Sequence, residues 1–380
     1  MALKARRQFR YESATPAFLA NLNALAQIQV ETPPHDDTIA YYLERVSPQA
    51  FALLPVHLIR RLVRMKALDR WRLHGAFLVA IDGTGQLVFH HRHCPHCLTR
   101  TSDSGQRLYF HPVLEAKLVT ANGLVFSMAT AFIENTDPKA TKQDCELKAF
   151  QRLAVQLKEH FPQLPLILLG DSLYACNRFF TLCRENQWKF IVTFKKSDMP
   201  SLFAEFETLR DLSPKNRVEH RQDGWTQQFA WVNQLPYDKH RLSAFECRQT
   251  RRQECGYFAW LTNIEVGTAS VITLANQGGR LRWKIENEGF NIQKNHGYEL
   301  EHAYSENEQA AKNFYYLLQV AHAINQLMIK GSLLPDFVKV MGSLRNYLRR
   351  LAECFRQVVI EAQMWDPAAA VAIQIRLDTS

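Results

Sequence analysis

Phe77-Leu78-Val79-Ala80-Ile81-Asp82-Gly83-Thr84-Gly85 is a continuous apolar run that stops at an aspartate followed by two glycines. A short run without polar alternation reads as a strand buried on both faces and cut off by turn chemistry. The same design returns at Leu164-Pro165-Leu166-Ile167-Leu168-Leu169-Gly170-Asp171-Ser172-Leu173-Tyr174. One aspartate at such an end is commonly a turn former or a helix cap. Two buried strands that each end in aspartate are more specific, because side-by-side strand ends bring carboxylates within a few ångströms of each other.

Outward from these runs the pattern is α/β. A hairpin is expected around Asp82-Gly83-Thr84-Gly85, joining strands 77–81 and 86–90, with further strands at 107–111, 115–120 and 123–128. Leu147, Phe150, Leu153, Leu157 and Phe161 share one face of a helix expected over 146–161. Strand 166–170, a helix through Phe179 and Phe180, and strand 189–194 follow. Residues 196–268 differ in kind, with separated β-like runs at 227–232, 244–247 and 257–261, and read as a β-rich insertion whose core takes Trp225, Trp231 and Trp260. The expected division is a helical segment over 1–70, core over 71–195 and 269–330 on either side of the insertion, and a helical segment over 331–380. In the first segment Arg60, Arg61, Arg64 and Lys66 make a basic face suited to DNA-end binding, or simply to solvent. Ser305-Glu306-Asn307-Glu308 has the spacing of a capping box that opens a long amphipathic helix, and helical patterns continue past the break at Gly331 and Pro335 to about residue 376.

A third acid lies in Arg282-Trp283-Lys284-Ile285-Glu286-Asn287-Glu288-Gly289-Phe290. Arg282 and Glu286 are four residues apart and share a helical face. Such a pair is commonly a solvated salt bridge, but an arginine also grips phosphate in two-pronged fashion and a glutamate also holds a hard cation. Three clustered carboxylates repel one another unless cations lie between them, and a pair of magnesium ions is the usual resolution.

Ala80-Ile81-Asp82-Gly83-Thr84, Gly170-Asp171-Ser172-Leu173-Tyr174-Ala175 and Arg282 through Phe290 together resemble the DDE transposases of bacterial insertion sequences, which are built on the RNase H-like (retroviral integrase) fold. The third segment is similar to that family's Tyr-Arg-Glu-Lys signature. Gly279 stands at the tyrosine place and Gln293 at the lysine place, with Lys294 one residue on. The resemblance covers roughly 70–330. It implies an RNase H-like catalytic core with a β-rich insertion, flanked by helical segments, in which Asp82, Asp171 and Glu286 are catalytic and hold two Mg²⁺ ions, Mn²⁺ substituting. It further implies metal-dependent cleavage of element ends and strand transfer, with Arg282 and more weakly Lys294 on DNA phosphates. The implied partners are double-stranded DNA, as element ends and target, and a second copy of the chain in a homodimer or larger assembly. Two alternatives stay open: a metal-dependent nuclease of the same fold that does not join strands, and a non-catalytic DNA-binding derivative of a decayed element.

The composition agrees with this. The 380 residues carry a formal net charge of +9, with 46 Lys and Arg against 37 Asp and Glu, which favours a polyanionic partner. No apolar stretch is long enough to span a bilayer, and no signal core follows the basic start. The expectation is a soluble cytoplasmic, nucleoid-associated protein without a membrane partner. Eight cysteines are scattered apart from Cys94-Pro95-His96-Cys97, which suits a reducing compartment. Four histidines surround that pair, so zinc on Cys94 and Cys97 is possible, completed by His111 or Cys145 if the fold brings one near. Surface thiols in a loop are the favoured reading there.

Overall fold

The computed structural model describes residues 7–137, 139–331 and 340–361. Its strands are β1 (Phe77–Phe89), β2 (Leu98–Thr101), β3 (Arg107–Val119), β4 (Val125–Phe132), β5 (Leu166–Gly170), β6 (Lys189–Thr193), β7 (Arg217–Gln222), β8 (Trp225–Tyr237), β9 (His240–Arg251) and β10 (Glu254–Thr262). β1 runs unbroken through Asp82 to Gly85, where a hairpin was expected. Tight hairpin turns need a positive φ, and neither Gly83 nor Gly85 adopts one. The two strands expected at 107–111 and 115–120 are likewise one.

The described chain packs as two compact units. One comprises 69–84 and 112–288, the other the residues up to 68, 85–111 and those from 289 onward. These limits differ from the sequence-derived boundaries at 85–111 and at 289–330, both expected in the core and both packed with the N-terminal helices. The expected break at Pro335 and the helix expected to reach residue 376 fall on or run into residues outside the described ones.

The first unit is α/β, with strand order β4-β3-β1-β5-β6-β10-β9-β8-β7. β5 pairs in parallel with both β1 and β6, and β10 then runs antiparallel to β6 and opens an antiparallel meander. Val79 to Ile81 and Leu166 to Leu169 are all but inaccessible to solvent, which explains the absence of polar alternation in their sequence. Helix Glu146–His160 buries Ala149, Phe150, Leu153, Ala154 and Leu157. Phe150 meets Tyr174 and Phe179 edge-on or tilted, and Phe179 in turn meets Phe190. Each such side chain removed from water contributes about 1.5–3 kcal/mol before entropy is counted. Trp231 and Trp260 are buried in the insertion as expected, Trp260 stacked on Phe245 at 5.1 Å, while Trp225 is half exposed. The insertion also holds a helix the β-like runs do not announce, Pro200–Asp211, which buries Leu202, Phe203 and Phe206.

The second unit is mainly helical. Helices Pro16–Ala26, Asp36–Leu43, Pro48–Arg64, Glu308–Lys330 and Leu344–Gln357 account for most of it. The long helix is capped by Asn307, whose side chain accepts from the Ala310 N–H, and not by Ser305. Ser305 instead accepts from the Asn307 amide and shapes the turn before the cap. Asn21 ties the two ends of this unit together by donating to the Phe355 and Val358 carbonyls, each at 2.8 Å. Asn313, fully buried, donates to the Leu43 and Val46 carbonyls at 2.7 Å each. Among the described residues no helix is long and apolar enough to cross a membrane. Replacing Asn313 by alanine strands the buried Leu43 carbonyl, while Val46 keeps its bond from Gln309, and is expected to cost about 1–3 kcal/mol. Urea unfolding checks this as a lowered midpoint at unchanged slope.

Candidate functional site

The parallel register of β1 on β5 pairs Ala80 with Leu169. Two residues further along each strand stand Asp82 and Asp171, so continuing the register sets them side by side, and the pleat sends them to the same face. Asp82 accepts from the Gly83 amide at 2.9 Å, and Asp171 accepts from the Leu173 amide at 2.9 Å as the cap of a short 3₁₀ turn. Arg282, buried, donates to Asp82 Oδ2 at 3.3 Å. Burial pushes the Asp82 carboxyl up to about 6; Arg282 and the Gly83 amide pull it down, and the charges of Asp171 and Glu286 push it up again. Asp171, Glu286 and Arg282 thus all act on Asp82.

A fourth acid that sequence reasoning missed joins them. Glu146 opens helix Glu146–His160, and its carboxyl packs on Gly83: a Cβ there would stand 2.5 Å from Glu146 Oε1. Glu146 is pushed up to about 7 by burial and then by the charges of Asp82 and Asp171. The buried Tyr174 hydroxyl lies beside Glu146 without meeting hydrogen-bond geometry. Acidic residues are common in the first helical turn, where the dipole favours them. The position therefore carried no signal; Gly83, small where a side chain must approach, was the available hint.

The glutamate segment is not a regular α-helix. Gly279–Trp283 winds as a 3₁₀ turn and Ile285–Asn291 as a π-helix. The i,i+4 pairing of Arg282 with Glu286 is accordingly replaced by the Arg282–Asp82 bond, with the guanidinium 4.3 Å from the Trp283 ring centroid. Glu286 is exposed, whereas Glu288, two residues on, is partly buried with an oxygen 2.5 Å from Lys284 Nζ. Both departures from the Tyr-Arg-Glu-Lys signature have steric or polar reasons. A side chain at Gly279 would begin 2.3 Å from the Trp260 indole nitrogen, so no tyrosine fits. Gln293 is fully buried and donates to Gln319 Oε1 at 2.8 Å, with His322 Nδ1 at 2.9 Å, in an amide network that would strand a lysine charge. Lys294 is ion-paired with Glu301 at 2.7 Å.

Beside Arg282 lies an open groove of about 970 Å³ with Lys195, Lys196, Arg248, Arg280, Tyr257 and Trp283 among its lining residues. In the helical unit, Cys94, Cys97 and His111 converge. Cys97 is buried and Cys94 half-buried, so they are not the surface thiols expected, and burial holds His111 neutral, down to about 4. Cys145 is exposed and does not join them. No protein-family model matches the chain, and no curated protein matches it significantly.

Half-buried carboxylates outnumber the single arginine among them, and two are held above the ordinary carboxylate range, although among the described residues their oxygens do not gather as closely as the ligand atoms of Cys94, Cys97 and His111. Because folding raises both, the folded chain holds more protons than the unfolded chain between about pH 4 and pH 7. That contribution is complete below the ordinary carboxylate pKa and is lost as pH rises through about 6 to 7. Metal-free protein should therefore lose a few degrees of melting temperature between about pH 5 and pH 7.5 from this source. Mg²⁺, competing with those protons, should restore it at pH 7.5 and have little effect at pH 5. Calorimetric melts with Mg²⁺ or with chelator test this, and Glu146→Gln should flatten the metal-free slope. Separately, Gly279→Ala should cost about 1–3 kcal/mol by overpacking against Trp260, read in urea melts.

Proposed function

We propose that this chain is a DDE-type transposase whose Asp82, Asp171 and Glu286 work on DNA phosphodiesters with divalent metal. The observation that carries the reading is the convergence of strand-end carboxylates, with Arg282 held against Asp82. The strand order β4-β3-β1-β5-β6, with the β1, β5 and β6 ladder parallel and a helix between β4 and β5, supports an RNase H-like core carrying the meander as its insertion. The basic, aromatic groove beside Arg282 supports a polyanionic substrate. The formal charge of +9 agrees.

Asp82, Asp171 and Glu286 would hold the Mg²⁺ ions. When bound, such ions lower the pKa of a water or a DNA 3′-hydroxyl and stabilise charge on the leaving 3′-oxygen. Asp82 and Asp171 hold fixed directions because each accepts a backbone amide on one oxygen; the second oxygen of Asp82 meets Arg282, so a metal there would share it with the guanidinium. Arg282, anchored between Asp82 and the Trp283 ring, is positioned to steady a phosphate oxygen as charge builds on it. No covalent protein–DNA intermediate is required. Paired ends and coordinated joining call for at least two copies of the chain, acting in the cytoplasm at the nucleoid.

One observation favours hydrolysis without joining as the second reading. Glu146 is held near neutrality, where a carboxylate best accepts a proton from an attacking water. A precut 3′-end offered with target DNA separates the two readings: a transposase joins them, a simple nuclease only cuts. The substrate for both assays is the DNA flanking the gene itself.

Asp82→Asn and Asp171→Asn are each expected to lower Mg²⁺-dependent cleavage by more than about 100-fold while DNA binding persists. Near wild-type nicking by either variant assigns that aspartate to structure alone. Glu286→Gln is expected to abolish cleavage, and Glu288→Gln, which removes only a charge paired with Lys284, to cost little. The reverse pattern would transfer the third ligand to Glu288.

A further inference from the structure

We propose that the helical unit carries a structural zinc site formed by Cys94, Cys97 and His111, with His93 as fourth ligand. It is separate from the acid cluster and does not depend on the transposase reading. The topology makes the three convergent. β2 pairs antiparallel with the start of β3, Leu98 opposite Phe110, so the next position outward sets Cys97 opposite His111. Cys94 returns to the same point through the two-residue spacer of Cys94-Pro95-His96-Cys97.

The distances are those of a metal clamp. Cys94 Sγ and Cys97 Sγ are 3.6 Å apart, and His111 Nε2 lies 3.3 Å from the first sulfur and 3.2 Å from the second. Zinc bonded tetrahedrally at about 2.3 Å to sulfur and about 2.0–2.1 Å to nitrogen separates two sulfurs by about 3.8 Å and a sulfur from a nitrogen by about 3.6 Å. The loop is also built to present sulfur as an acceptor. The Cys94 amide points at Cys97 Sγ at 3.4 Å, and Arg92 closes the turn by donating to the Cys94 and Pro95 carbonyls.

Two histidines flank the cluster and differ in their commitments. His96 Nδ1 is 2.8 Å from Glu308 Oε2, and the other carboxylate oxygen of Glu308 accepts from Lys312 at 2.6 Å, so His96 fastens the loop to the long helix. His93 stacks on Phe89 at 4.5 Å and meets His111 edge-on with ring centroids 6.1 Å apart. His93 is assigned the remaining corner because its ring meets that of His111, whereas His96 is tied to Glu308. Two thiolates and two imidazoles form a closed donor set that selects zinc over the hard cations suited to the carboxylates.

Protein expressed in zinc-supplemented medium and purified in reductant without chelator is expected to hold about one zinc per chain by elemental analysis. After removal of zinc, Co²⁺ should give the intense sulfur-to-metal and d–d absorption of tetrahedral cobalt thiolate. Cys94→Ser with Cys97→Ser should lose both signals, His111→Ala should lose the tetrahedral spectrum, and Cys145→Ser should keep them. His93→Ala should weaken affinity about 10-fold or more in competition with a chromogenic chelator. Unchanged affinity in that variant overturns the four-ligand assignment. Wild-type protein that takes up neither zinc nor Co²⁺ stoichiometrically under anaerobic, reduced conditions overturns the site, as does metal retained by the double-cysteine variant. The wild-type measurements stand even if a variant fails to fold, and none reads DNA cleavage.

Discussion

Like charges on neighbouring strand ends are the constraint around which the α/β unit is arranged. The parallel register of β1 on β5 is fixed by the fully buried side chains of Val79, Ala80, Leu168 and Leu169, and slipping it by one residue would turn those groups toward the wrong face. That register leaves Asp82 and Asp171 no choice but proximity. The surroundings answer the repulsion in three ways: amides of Gly83 and Leu173 accepted by the carboxylates, the Arg282 cation against Asp82, and protons retained on Asp82 and Glu146. Burial still wins over the arginine at Asp82, whose carboxyl stays above its ordinary value. Burial is the first cause of the rise at both Asp82 and Glu146, and the neighbouring carboxylates add to it.

The aspartates were legible in the sequence because a strand buried on both faces writes itself as an unbroken apolar run, and its end is where the polar residue appears. Helix Glu146–His160 was legible from its apolar face for the same reason. What did not show is what local pattern cannot encode. Asp82-Gly83-Thr84-Gly85 has turn composition yet continues as strand, so its neighbours in the sheet overrode its propensity. Leu202, Phe203 and Phe206 are too few to stand out as a helix among β-like runs. Glu146 looked like any acid in a first turn, and only the packing against Gly83 distinguishes it. His111 lies 14 residues from Cys97, so their meeting depends on a hairpin register that spacing alone does not give.

The two positions where the Tyr-Arg-Glu-Lys pattern lapses are the ones where packing has claimed the space. Trp260, stacked between Phe245 and Phe258, occupies the volume that a side chain at Gly279 would enter. Gln293 is wedged into an amide and imidazole network with Gln319 and His322, where a neutral group can satisfy its partners and an ammonium cannot shed its hydration. If DNA is the substrate, the phosphate contacts of a tyrosine and a lysine must therefore come from elsewhere. The cations beside Arg282, namely Arg280, Arg248, Lys195 and Lys196, are the nearest supply.

Backbone winding sets Glu286 and Glu288 in different surroundings. An α-helix would have set Arg282, Glu286 and Phe290 along one side; the 3₁₀ turn ending at Trp283 and the π-helix from Ile285 to Asn291 break that alignment. Phe290 is buried while Glu286 faces solvent, and Arg282 is released from any duty to Glu286 and turns to Asp82. Glu288 pairs with Lys284 four residues before it, which neutralises it within its own segment. Glu286, by contrast, forms no ion pair among the described residues, and its charge is felt at Asp82. On the proposed function, a carboxylate without a cation of its own whose charge reaches Asp82 is a better third ligand than one already paired, so charge favours Glu286 where a regular helix would have favoured it by face.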